Sequence, residues 1–279
     1  MLLISVAVAV LGSAPPSGGP LDSAAWTVRL GQPSAVERQC TDYSQLFWSV
    51  SLDNGAARAT RLVSREHVDP LPFDYPRHRD REGDRRVARV DDGWLVGFNA
   101  GEFGGGLWWF DRGGRNGRRI RPSSSLPTNP ADIFHAENVL GLPLVGGVRL
   151  VLMGLDHLTG RSGRVFRAVS GPHGWELAPV AVLDAQPDVW VVDGSKLLFL
   201  TESGLWSTDA VGAQRIHDVD FGGLAPTSLI RAADGPVYVG LRYYVLKLVE
   251  GRNGWEESWL VPGECQRVQL KDYQCECAP

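Results

Sequence analysis

Six polar residues are the candidates for ligand-binding chemistry in this chain of 279 residues. They lie at the starts of repeated strand segments or in a turn that follows, where neighbouring segments would converge on a concave mouth. Carboxylate and amide oxygens among them could bind a divalent cation, provided that three or four such ligands come together. The candidate binding residues are Glu137, Asn138, Asp188, Thr227, Ser228 and Arg242.

No catalytic motif accompanies these residues. The sequence has neither a Gly-x-Ser-x-Gly nucleophile turn nor a His-Glu-x-x-His zinc pair, and its six histidines lack metal-ligand spacing. The glycine-rich residues 100–109 end without the Gly-Lys-Ser/Thr of a phosphate loop, which favours a hairpin loop. We therefore predict no catalytic residue, no metal-binding residue and no cofactor.

The elements that must position the candidates are short strands in a repeating unit. Residues 228–261 read as four strands, and similar units occupy residues 86–120, 138–183 and 188–219, with a fainter one at 45–63. Each clear unit has a turn dipeptide between two apolar runs, which indicates a hairpin because both turn residues must tolerate positive φ. These dipeptides are Asp92-Gly93, Gly146-Gly147, Asp193-Gly194 and Asp234-Gly235.

Repeats of four short strands every 40–55 residues or so indicate an all-β fold, the β-propeller. Blades of this kind stack in a ring because each blade cannot bury both of its faces alone. Five recognisable units favour five four-stranded blades, with six as the alternative. The predicted organisation is a signal peptide and Pro/Gly-rich leader at residues 1–25, the propeller at 26–263 and a cysteine-containing tail at 264–279.

A resemblance to known propellers rests on residues 225–242, APTSLIRAADGPVYVGLR. This segment resembles the phrase Pro-Asn-Ser/Gly-Leu, then Asp-Gly, then Tyr-Val, of NHL-type propellers and of the regucalcin/gluconolactonase family. Together with residues 97–114, GFNAGEFGGGLWWFDRGG, it is also similar to exported bacterial propeller proteins. The resemblance covers part of the chain, and its motifs are mainly structural.

The resemblance to the lactonase family implies a divalent metal such as Ca²⁺, held in the central channel by Glu, Asn and Asp. Glu137, Asn138 and Asp188 are the possible ligands in this sequence, whereas Thr227 stands where the family has a metal-binding Asn. Because no catalytic motif is present, we predict a binding or scaffold module for a protein or glycan ligand. The alternative is a metal-dependent, lactonase-like hydrolase that acts in the channel.

The two ends of the chain indicate export and disulfide bonds. The apolar run at residues 2–11 has the length of a signal-peptide core, ~7–15 residues, and is shorter than the ~20 of a membrane span. An even number of cysteines in an exported chain suggests two disulfides. We predict a secreted or periplasmic protein in which Cys40 bonds to Cys265, Cys275 or Cys277 and closes the ring covalently.

The charge distribution bears on the class of partner. The net charge is −4, and the basic residues 77–89 are interleaved with Asp80, Glu82 and Asp84. Nucleic-acid-binding surfaces are usually less neutralised than this segment. We therefore predict that the protein does not bind nucleic acid. We also expect a monomer without a membrane span.

Overall fold

The computed structural model describes residues 18–42, 44–64, 68–75, 81–101, 104–121, 138–157, 160–263, 267–271 and 274–278. It contains 59% strand and 4% helix, so the predicted all-β class is confirmed. In the described residues, no helix is long and apolar enough to cross a membrane. In chain order the elements are β1 (Gly18–Pro20), β2 (Trp26–Leu30), α1 (Ala35–Asp42), β3 (Trp48–Asp53), β4 (Ala56–Arg61), β5 (Asp84–Val90), β6 (Gly93–Asn99), β7 (Gly105–Asp111), β8 (Arg118–Ile120), β9 (Val139–Gly141), β10 (Leu144–Val145), β11 (Val148–His157), β12 (Gly160–Gly171), β13 (Gly174–Leu183), β14 (Trp190–Asp193), β15 (Lys196–Thr201), β16 (Gly204–Thr208), β17 (Ala213–Asp218), β18 (Ser228–Arg231), β19 (Val237–Gly240), β20 (Val245–Gly251), β21 (Gly254–Pro262), β22 (Arg267–Lys271) and β23 (Gln274–Ala278).

These strands form five antiparallel sheets that follow one another along the chain, and a C-terminal hairpin of β22 and β23. The first sheet has the order β1-β4-β3, and the second contains β5 to β8. The third contains β9 to β13, the fourth β14 to β17, and the fifth β18 to β21 with β2 added beside β21. Hairpin connections explain why strands of the second, fourth and fifth sheets lie in chain order.

Both faces of a central strand are buried against neighbouring sheets. In β15, Leu197 and Phe199 pack against the third sheet, whereas Leu198 and Leu200 pack against the fifth. Alternate side chains of a strand point to opposite faces, so a strand that is buried on both faces reads as a continuous apolar run. Apolar layers also join the second sheet to the third and the fifth to the first. This face-to-face stacking of small antiparallel sheets is a β-propeller.

The ends of the chain meet through backbone hydrogen bonds. Strand β2 pairs antiparallel with β21, placing Trp26 opposite Pro262 and Leu30 opposite Ser258. An N-terminal strand therefore completes the last sheet of the chain. The sequence analysis placed closure on Cys40 alone and did not assign a strand to residues 26–30.

Two of the predicted hairpin turns are shifted by one residue. One lies one residue before its predicted position, and the other lies one residue after it. The register pairs Val90 with Gly93, so the turn between β5 and β6 is Asp91-Asp92 rather than Asp92-Gly93. The register of Asp193 with Lys196 places the other turn at residues 194–195. Gly93 is needed for a different reason, because a Cβ atom there would lie 2.0 Å from the backbone oxygen of Phe110.

Helix α1 begins with a capping box. The Ser34 backbone nitrogen donates to Glu37 Oε2 (2.8 Å), and the Glu37 nitrogen donates to Ser34 Oγ (3.3 Å), which satisfies two otherwise orphan donors. Burial opposes ionisation of Glu37, but the hydrogen bonds from Ser34 and Arg29 outweigh it, and the pKa of Glu37 is lowered. This helix is not among the elements predicted from the sequence.

Helix α1 lies against the hairpin of β22 and β23. Its residue Cys40 is fully buried and is not a free thiol. Cys265 and the side chains of Cys275 and Cys277 lie outside the described residues, as do residues 1–17 of the predicted leader. The predicted pairing of the cysteines therefore stays a prediction.

Candidate functional site

A cavity of about 390 Å³ lies where the first strands of several sheets converge. Four sheets or their connections contribute to its walls, as expected for the channel of a propeller. Its polar and aromatic lining residues include Asp69, Arg86, Asp188, Trp190, Thr227 and Ser228.

A second cavity of about 330 Å³ shares Asp188 with the first and is lined mainly by polar side chains. Arg161 spans one of its sides, pairing with Asp156 (Nε to Oδ1, 3.0 Å) and with Glu202. Gln186 lies beside Asp188 and donates from Nε2 to Asp188 Oδ1 (3.1 Å). We call the larger space the central cavity and this one the mouth cavity.

The structure brings four of the six sequence-predicted residues to these two cavities. Asp188 lines both, Thr227 and Ser228 line the central cavity, and Arg242 lines the mouth cavity. Asn138 lines neither one, and Glu137 lies outside the described residues.

Thr227 and Ser228 also join the last sheet to the first. The Thr227 hydroxyl lies within hydrogen-bond distance of the backbone oxygens of Trp48 and Gly240, and donates its single proton to that pair. Ser228 Oγ accepts from the backbone nitrogen of Val50 (2.8 Å). These two hydroxyls therefore hold β18 against β3, a structural role that the sequence analysis did not assign to them.

Asn138 is nearly buried at the edge of the third sheet. Its Nδ2 donates to the backbone oxygen of Gly101 (2.8 Å), and its Oδ1 is shielded without a hydrogen-bond donor among the described residues. A Cβ atom on Gly105 would lie 2.3 Å from that Oδ1, so a glycine is needed at this contact. Asn138 therefore fixes the loop before β7 rather than facing the cavity that Asp188 lines.

Arg86 is the basic residue of the central cavity, and it is not among the candidates predicted from the sequence. It lies on β5, and its Nε donates to the backbone oxygen of Leu140 in the next sheet (3.1 Å). Burial lowers the pKa of Arg86 to about 10. In the sequence it is one arginine of a charged run, and only the inward direction of its side chain distinguishes it from its neighbours.

Metal binding was the chemistry implied by the lactonase resemblance. Across the part of the chain that the structure describes, no three His, Cys, Asp or Glu side chains are grouped so as to hold a metal ion. Asp188 is the one implied ligand that lines a cavity, since Asn138 lies elsewhere and Glu137 is not described.

Comparisons with known proteins give structural likenesses only. No protein-family model matches the chain, and no curated protein matches it. The chain is similar to the extracellular domain of BT4673 from B. thetaiotaomicron, with 13% identity and a TM-score of 0.43 over 75% of this chain and 27% of that one. Virginiamycin B lyase from Staphylococcus aureus is similar with 11% identity and a TM-score of 0.41, over 91% of this chain and 88% of that one. A streptogramin B lyase structure has 9% identity and a TM-score of 0.30, over 87% and 100%. This chain thus spans about a quarter of the length of the first structure.

Proposed function

We propose that this chain is an exported, monomeric, five-bladed propeller that binds the end of a glycan in its central and mouth cavities. The observation that carries the proposal is the lining of the central cavity. Two aspartates, a threonine, a serine, an arginine and Trp190 line this one space. Carboxylates and hydroxyls bond sugar hydroxyl groups, and an aromatic side chain offers an apolar body with a polar end.

Five successive sheets support the proposed number of blades. Each sheet has three to five strands and packs on a neighbour through its own apolar layer. Export rests on the apolar run at residues 2–11 and on the cysteine pairing proposed next.

Cys40 is proposed to form a disulfide with a cysteine of the C-terminal tail. The helix that carries Cys40 lies against the β22–β23 hairpin, which contains Cys275 and Cys277 in its second strand. Cys40 itself is fully buried and is not a free thiol. The remaining two cysteines would then pair with each other, as an oxidising compartment favours.

Filling the mouth cavity with a larger side chain tests the binding proposal. Gln186→Trp places an indole beside Asp188, so the affinity for oligosaccharides that bind the native chain, measured by isothermal titration, is expected to fall at least tenfold. Gln214→Trp is the matched control, because Gln214 is exposed on the outer strand β17 and faces neither of these cavities. Equal affinity of both variants would contradict binding in the cavities. Binding of peptides instead of sugars would contradict the glycan assignment.

A further inference from the structure

Arg86 carries a charge that no acidic side chain balances within the described residues. Its only side-chain hydrogen bond there runs from Nε to the backbone oxygen of Leu140 (3.1 Å). Its Nη1 is shielded from solvent without a hydrogen-bond partner, and no described carboxylate lies within ion-pair distance of the guanidinium. A guanidinium has five N–H donors in a planar fork, so four of them have no acceptor among the described residues, and Arg86 lines the central cavity.

An unbalanced, partly buried arginine is costly unless something pairs with it. Removing a charge from water carries a penalty that a partner anion offsets. The lowered pKa of Arg86 has burial as its cause, which agrees with a missing negative partner. Perturbed charged groups that line a cavity are candidates for ligand binding.

The other walls of the central cavity limit which anion fits. Asp69 and Asp188 also line the cavity. Their carboxylates would repel a ligand with two or three negative charges more strongly than a ligand with one. Asp69 Oδ2 accepts from the Val87 backbone nitrogen (2.8 Å), which fixes that carboxylate in place. A ligand with a single negative charge and several hydrogen-bond donors suits these walls better, because donors can bond Asp188 while the charge pairs with Arg86.

We infer that the central cavity binds the carboxylate of a sugar acid, such as the uronic acid end of a glycan, through the guanidinium of Arg86. Nε bonds Leu140 and Nη1 is shielded, so a carboxylate oxygen would accept a charge-assisted hydrogen bond from Nη2. The sugar hydroxyls would then face Asp188 and the Ser228 hydroxyl, whose oxygen accepts from Val50 and whose proton can still be donated. This inference rests on the proposed function and assigns its ligand class.

Isothermal titration of the full chain with D-glucuronate and with D-glucose tests the inference, because the two sugars differ only at C6, which is a carboxylate in glucuronate and a hydroxymethyl group in glucose. Glucuronate is expected to bind at least tenfold more tightly than glucose. Arg86→Gln is expected to abolish this ratio, and Arg86→Lys to reduce it, because lysine keeps the charge but loses the fork. The Nε–H resonance of Arg86 should shift when glucuronate is added.

Arg149→Gln is the matched control. Arg149 is also a partly buried arginine, and it donates from Nη1 to the backbone oxygen of Leu142 (2.7 Å) without lining the central cavity itself. The ratio should survive in this variant within about twofold, which separates the role of Arg86 from general damage to the segment that both arginines contact.

Three outcomes would overturn the inference. One is equal affinity for glucuronate and glucose in the native chain, and another is a ratio that Arg86→Gln leaves intact. The third is tighter binding of inorganic phosphate or of a free peptide C-terminus, such as that of trialanine, than of glucuronate. Neutral oligosaccharides could also bind in a way that Gln186→Trp blocks and Arg86→Gln does not affect. That result would support the proposed function and contradict this inference.

Discussion

Replacing Cys40 with serine is expected to lower the free energy of unfolding by about 2–5 kcal/mol under oxidising conditions. The proposed bond would tie residue 40 to the tail beyond residue 263, so it restricts nearly the whole unfolded chain. Chain-entropy arguments give long loops the largest effect, although strain can reduce it. Chemical denaturation of the native chain and the variant, with and without a reducing agent, measures the difference.

Single replacements of the tail cysteines identify the partner of Cys40. The partner is the cysteine whose replacement lowers the free energy of unfolding by as much as Cys40→Ser does. Combining that replacement with Cys40→Ser should cause no additional loss. Peptide mapping without reduction should show Cys40 linked to Cys265, Cys275 or Cys277. Alkylation of Cys40 in the folded, unreduced, exported protein would refute the bond.

Trp48→Ala should destabilise the chain by about 3–5 kcal/mol, in the range of large-to-small changes in cores. The indole of Trp48 is fully buried between the first and last sheets, and it meets the ring of Trp26 edge-on at 4.8 Å. Its Nε1 donates to the backbone oxygen of Tyr243 (3.2 Å), so the variant also removes that hydrogen bond. Thermal and urea unfolding measure the loss.

Trp48→Phe is the informative comparison. It keeps an aromatic body in the layer and removes the hydrogen bond to Tyr243, so a smaller loss than for alanine is expected. Val63→Ala serves as a baseline near zero, because Val63 is 97% exposed. A loss for Trp48→Ala no greater than this baseline would mean that the first and last sheets do not depend on each other.

The sequence predicts the repeat better than it predicts the site. Apolar runs with glycine-containing turns identify the hairpins, and Gly204-Leu205-Trp206 does begin the third strand of its sheet. The sequence misplaces the turn between β5 and β6 by one residue. Gly93 is required by the close approach of the Phe110 backbone and not by a positive φ in a turn. Alternating apolar residues and turn residues are local signals. They can predict a propeller because its sheets are built from hairpins that are local in sequence.

Features that depend on distant contacts are harder to predict. The strand β2 is short and gains its partner 228–236 residues along the chain, so nothing near it in the sequence marks the pairing. Helix α1 is an exception, because the capping sequence Ser34 to Glu37 is a local signal for the start of a helix. Arg86 differs from other arginines of its run in what surrounds its side chain, which no spacing rule reports.

The pairing of β2 with β21 has a consequence for the order of synthesis. Residues 26–30 leave the ribosome before almost all of the propeller, yet the strand they pair with emerges after every other strand of the five sheets. The outer edge of the fifth sheet can be covered only after residues 254–262 have been synthesised, so the earlier sheets form while one interface is still exposed. Such an edge is a template for pairing with other chains. Deleting residues 18–30, or stopping translation before residue 254, should therefore yield chains that aggregate rather than smaller stable propellers.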